Sequence, residues 1–89
     1  MNLSVEISMY PLHEDYKVRI EEFLQQLKAG AGEAIEIRSN NMSTRLFGEF
    51  SQVTTLLNQA MHDSMQQFGK IVFVCKYLQG DARSLEGYE

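Results

Sequence analysis

The chain has 89 residues, 44% of them apolar and 22% charged, and that length predicts one small domain rather than two independent cores. Eight basic residues against twelve acidic ones give a net charge of −4, which opposes a phosphate backbone and mildly favours cationic or neutral ligands. One cysteine cannot form an internal disulfide, His13 and His62 lie far apart, and neither a leader-like start nor eighteen consecutive apolar residues occurs. A reduced, cytoplasmic protein without metal, cofactor or membrane span is expected.

Leu3, Val5, Ile7 and Met9 alternate with Ser4, Glu6, Ser8 and Tyr10, the period of a strand wetted on one face, and Pro11 removes the donor needed to continue it. From Asp15 the period lengthens. Tyr16, Ile20, Phe23, Leu24 and Leu27 trace one stripe of a helix, with Asp15 as its N-cap, Gly30 as its stop and Ala31-Gly32 as the connection. Ile35 and Ile37 alternate with Glu36 and Arg38 in a short second strand, and Ser39-Asn40-Asn41 reads as a turn because these side chains bond the local backbone. A third strand runs from Ser43 to Phe50 with Leu46, Gly48 and Phe50 toward the helices, Gly48 permitting close approach.

Val53, Leu56, Leu57, Ala60, Met61, Met65 and Phe68 form a second helical stripe, capped by Ser51 and closed by Gly69. Ile71 to Leu78 is apolar on both alternating sets except at Lys76, which predicts a strand covered on two sides, the second cover being another subunit. Residues 79–89 show no periodicity and form an unassigned tail to a domain spanning 1–78. The order strand, helix, strand, strand, helix, strand predicts an α+β, ferredoxin-like βαββαβ domain: a four-stranded antiparallel sheet with two helices on one face and the other face open.

That open face would carry Ser4, Glu6, Ser8 and Tyr10 beside Arg45, Phe47 and Glu49, about 5 Å across from them. Two carboxylates, hydroxyls and two aromatics are expected to converge there. Such a set suits a small ligand, and a covering subunit would place the pocket at a junction between copies. The alternatives are a solvated or dimer-facing surface, with Glu6 paired to Arg45, Met42 filling a core gap and Ser43-Thr44 merely beginning a strand.

Ser4-Val5-Glu6-Ile7-Ser8-Met9-Tyr10-Pro11-Leu12, followed by Met42-Ser43-Thr44 and Phe47-Gly48-Glu49-Phe50, resembles the YkoF-type thiamine-binding family in its small single-domain members. The resemblance covers residues 3 to about 78. It implies a ferredoxin-like fold, a homo-oligomer (dimer or tetramer), and binding of thiamine or its hydroxymethylpyrimidine moiety without catalysis. The matched positions are Glu6, Ser8, Tyr10, Met42, Ser43, Thr44, Phe47 and Glu49. The chemistry agrees: a carboxylate can accept from the exocyclic amine or pair with a protonated ring nitrogen, hydroxyls complete the bonds, and Tyr10 or Phe47 can stack.

Rival functions fit less well. Arg45-Leu46-Phe47-Gly48-Glu49-Phe50 resembles the stacking strand of RNA-recognition motifs, but Glu49 and the acidic composition oppose nucleic acid. Pro11 to Asp15 lacks the glycine nest and arginine of an acyl-phosphate hydrolase. Cys75 reads as a small apolar residue, and His13 and His62 as surface groups without partners. A metabolite-sensing regulatory or assembly module of the same fold is the remaining alternative.

Overall fold

The computed structural model describes residues 1–84. Alternation of apolar and polar residues makes β1 (Asn2–Pro11), β2 (Glu36–Ser39), β3 (Thr44–Glu49) and β4 (Ile71–Gln79), and the two helical stripes become α1 (Tyr16–Ala31) and α2 (Phe50–Phe68). The sheet runs β2-β3-β1-β4 with every pair antiparallel. This is the expected ferredoxin-like βαββαβ arrangement.

Leu3, Val5 and Ile7 of β1 share one core with Phe23 and Leu27 of α1 and with Val53, Leu57 and Ala60 of α2, so both helices lie on the same sheet face. Gly48 is needed in β3 because a Cβ there would stand 3.1 Å from the Val53 side chain and 3.2 Å from both the Ala34 carbonyl oxygen and the Ile35 side chain. Arg19, whose position gives no signal in the apolar pattern, donates to the Phe68 carbonyl at 2.6 Å and lies 4.7 Å from the Phe68 ring centre. It thereby ties the start of α1 to the end of α2.

Several boundaries differ from expectation. α1 continues to Ala31 and stops at Gly32, whose positive φ of 55° a side chain would resist. Asp15 holds the N-cap position, but its carboxylate bonds Arg19 at 2.9 Å instead of a helix amide. α2 begins at Phe50 and is capped by Glu49, which accepts from the Gln52 amide at 3.1 Å; a carboxylate outcompetes the Ser51 hydroxyl at the positive helix end. Phe50 therefore leaves β3 and turns outward. Gly69 does close α2, with φ 85° and its amide on the Met65 carbonyl at 2.9 Å.

Among the described residues, β4 is covered on one side only. Ile71, Phe73 and Cys75 face the helices, while Val72, Val74 and Leu78 stand about half-exposed on the open face. In the tail left unassigned above, Gln79 completes β4, Gly80 and Ala82 bond Ser4 on the open face, and Ala82–Ser84 form a short 3-10 turn; residues 85–89 are outside the described region. No helix among the described residues is long and apolar enough to cross a membrane.

Candidate functional site

Strand register turns the open face into rows. One row reads Glu36, Phe47, Ser4 and Leu78 across β2, β3, β1 and β4; the next reads Arg38, Arg45, Glu6 and Lys76. Beyond them β3 has ended, leaving Ser8 opposite Val74 and Tyr10 opposite Val72. Each row brings together residues far apart in sequence, which is why the rows are not visible in any single strand.

The first row is roofed by the tail. Ser4 Oγ donates to the Gly80 carbonyl at 2.9 Å and accepts from the Ala82 amide at 2.8 Å, and Gly80 in turn donates to the Asn2 carbonyl. This strap carries Arg83 over the sheet. Phe47, expected to be an exposed stacking ring, is only 4% exposed, with the Arg38 and Arg83 guanidinium carbons 5.4 and 5.3 Å from its centre. Its π-face mounts two cations, an arrangement that leaves no open face for a flat ligand. Arg83 also bonds Asp81 and Glu36, and Arg38 bonds Glu36. These contacts hold the Asp81 carboxyl down to about 2 and lower that of Glu36, while the same carboxylates push the Arg83 guanidinium further toward its charged form.

A pocket of about 240 Å³ lies where the two rows meet, lined by Phe47 and Leu78 of the first row, Glu6, Arg45 and Lys76 of the second, and Arg83 of the strap. Among the described residues, four cations and one carboxylate line it, opposite in sign to the net charge of the chain.

A second recess, about 80 Å³, opens at the far end of β1, between the turn that precedes β3 and α1. Asn40 shapes that turn: its side-chain oxygen accepts the amides of Met42 at 2.7 Å and Ser43 at 3.0 Å, the local bonding expected of this segment. The turn delivers the Ser43 hydroxyl to Glu6, on which it donates at 3.0 Å, while Lys76 Nζ stands 3.6 Å from the other carboxylate oxygen. Glu6 is thus partnered by Ser43 and Lys76. Arg45, directly opposite it, makes no side-chain hydrogen bond or ion pair among the described residues.

Of the eight residues singled out, Ser8, Met42, Ser43 and Thr44 line the recess and Glu6 joins it to the pocket through Ser43. Met42 is 84% exposed and fills no core gap. Thr44 is buried on the helix side with its hydroxyl 3.1 Å from that of Ser39. Tyr10 is exposed beyond the recess. The two carboxylates do not converge, because Glu6 faces Arg45 whereas Glu49 faces Asn2, four residues along β1 and about 13 Å away. Glu49 serves the helix, and backbone hydrogen bonds from Ser51 and Gln52 lower its pKa.

The cationic ring of Arg38, Arg45, Lys76 and Arg83 was missed in the sequence, where each basic residue sits singly between unlike neighbours. Cys75 packs against the core and burial pushes its thiol up, which makes it a poor nucleophile. No group of three or more His, Cys, Asp or Glu side chains among the described residues is placed to hold a metal ion. A depression of about 560 Å³ between the end of α1 and the start of α2 has no acidic, basic or histidine side chain among the described residues that line it.

Neither a family model nor a curated protein matches this sequence. Solved structures do match its fold. A protein from Streptococcus pneumoniae superposes with a TM-score of 0.72 at 20% identity, covering 96% of this chain and 93% of its own. A candidate thiamine biosynthesis/salvage protein from Thermotoga maritima gives 0.75 at 16% identity over 86% and 82% of the two chains. A Bacillus cereus domain of unknown function, DUF77, gives 0.76 at 11% identity over 100% and 91%. At such identities the likeness is one of fold, and function must be argued from the site.

Proposed function

We propose that this protein binds the aminopyrimidine part of thiamine, or hydroxymethylpyrimidine itself, without catalysis, as a YkoF-like homo-oligomer. The observation that carries this reading is the Ser43-bonded Glu6 carboxylate at the junction of the recess that Ser8, Met42 and Thr44 also line. Glu6 offers an acceptor for the exocyclic amine or a partner for a protonated ring nitrogen, and the hydroxyls of Ser8 and Ser43 can bond the remaining ring atoms. The thiamine-related Thermotoga maritima neighbour supports the same ligand class.

The geometry refines the ligand. Arg45 and Lys76 flank Glu6 in register, so a thiazolium cation laid along that row would meet like charge. The pyrimidine end belongs at Glu6 and the thiazolium must point away. A recess of about 80 Å³ is also well below the roughly 300 Å³ at which drug-sized pockets begin, so one chain alone would leave the ligand partly open. A second copy seated on half-exposed Tyr10, Val72 and Val74 would cover the outer face of β4 beside Ser8.

Calorimetric titration with hydroxymethylpyrimidine tests the reading. Glu6→Gln should weaken binding by about 1–3 kcal/mol, since it removes a charge-assisted acceptor while keeping the side-chain shape. Equal affinity in the two proteins would overturn the role of Glu6.

A further inference from the structure

We propose that the pocket on the open sheet face is an oxyanion site, for free phosphate or the phosphate of a small ester, with Arg45 and Lys76 as the principal donors and Arg38 and Arg83 beside them. The register places Arg38 directly opposite Arg45, and like charges facing each other across neighbouring strands destabilise a sheet unless something neutralises them. Among the described residues, four cations meet three carboxylates, each already engaged. Glu36 is shared between Arg38 and Arg83, Asp81 is bonded to Arg83, and Glu6 is shared between Ser43 and Lys76. Arg45 has no such partner among the described residues. An anion seated between Arg45 and Lys76 would relieve that imbalance.

The two flanking cations, Arg38 and Arg83, are preorganised. The Phe47 ring holds the guanidinium groups of Arg38 and Arg83 at 5.4 and 5.3 Å, and the strap bonded to Ser4 fixes Arg83 over the pocket, so less side-chain freedom is lost on binding. Guanidinium forks match phosphate oxygens in pairs. The volume of about 240 Å³ exceeds the roughly 30 Å³ share of one water by enough to admit a phosphate and several carbon atoms. The net charge of −4 does not oppose this, because distant surface carboxylates are screened within about 10 Å at ordinary ionic strength.

This inference does not depend on the aminopyrimidine reading, since Glu6 is a ligand there and a repelling neighbour here. The test is a nuclear magnetic resonance shift titration of the whole chain at low ionic strength, with inorganic phosphate in one arm and phenyl phosphate in the other. Saturable shifts at Arg45 and Lys76 are expected in at least one arm; saturation by phenyl phosphate alone identifies an ester as the ligand, and saturation by inorganic phosphate identifies free anion. Arg45→Gln should weaken binding about tenfold or more, while Glu6→Gln should tighten it, the reverse of its effect on hydroxymethylpyrimidine. Both substituted side chains are partly solvent-exposed and outside the core, so the variants keep the fold. Absence of saturation to about 10 mM, beyond the range of weak specific binding, or equal affinity in wild type and Arg45→Gln, would overturn the proposal.

Discussion

Ser4→Ala isolates the bond system that fastens the tail to the sheet. The hydroxyl makes two contacts, one to Gly80 and one to Ala82, and Ser4 is only 5% exposed. Hydrogen bonds of this kind contribute about 0.5–1.5 kcal/mol each, so the pair sets a ceiling near 3 kcal/mol. The freed carbonyl and amide can turn to water once the strap lifts, which brings the expected loss to about 1–2 kcal/mol. In a domain of this size that lowers the thermal midpoint by roughly 5–15 °C, measured at one protein concentration because self-association would otherwise shift it. Hydrogen exchange should report the same event locally, with the Ala82 amide losing protection before the β1 amides do. An unchanged midpoint together with unchanged protection at Ala82 would refute the view that Ser4 anchors the strap.

Other perturbations test other layers of the account. Gly48→Ala should destabilise by about 1 kcal/mol, read from denaturant unfolding, because its methyl group meets the Val53 side chain, the Ala34 oxygen and the Ile35 side chain at once, and one of those is backbone. Ser64→Ala should raise the thermal midpoint, stabilising by about 1–2 kcal/mol, since the Ser64 hydroxyl is fully buried in α2 without a partner among the described residues. The strap should also loosen in acid. Asp81 and Glu36 are depressed from ordinary values of 3.8 and 4.5, Asp81 to about 2, so their stabilisation is full above pH 4.5 and is lost as pH falls toward 2. Ala82 exchange protection should fall across that window in wild type and lose its pH dependence in Arg83→Ala.

Much of this fold could be read directly from periodicity. The alternation from Leu3 to Met9 and the stripe from Val53 to Phe68 specify one strand and one helix wherever they occur, and Asn40 and Gly48 mark a turn and a close approach by local chemistry. What was not legible depends on competition or on distance. Glu49 and Ser51 are both competent caps, and the charge that favours Glu49 at a helix end also placed it, wrongly, in a pair with Glu6. The cationic row needs the registers of three strand pairs, none of which is encoded within one segment. Phe47 reads as an exposed aromatic because the residues that cover it, Arg38 and Arg83, belong to a neighbouring strand and to the tail.

Binding of the aminopyrimidine should show as ligand-induced stabilisation. Thermal unfolding would be followed at fixed protein concentration with hydroxymethylpyrimidine, thiamine, a thiazole alcohol and an amino-acid panel. A ligand at a hundred times its dissociation constant adds about 2.7 kcal/mol, which raises the midpoint by on the order of 10 °C in a domain this small. Hydroxymethylpyrimidine should raise the midpoint at least as much as thiamine does, and the thiazole should leave it unchanged. A rise with the thiazole alone, or with none of the pyrimidine compounds up to about 10 mM, would contradict aminopyrimidine binding.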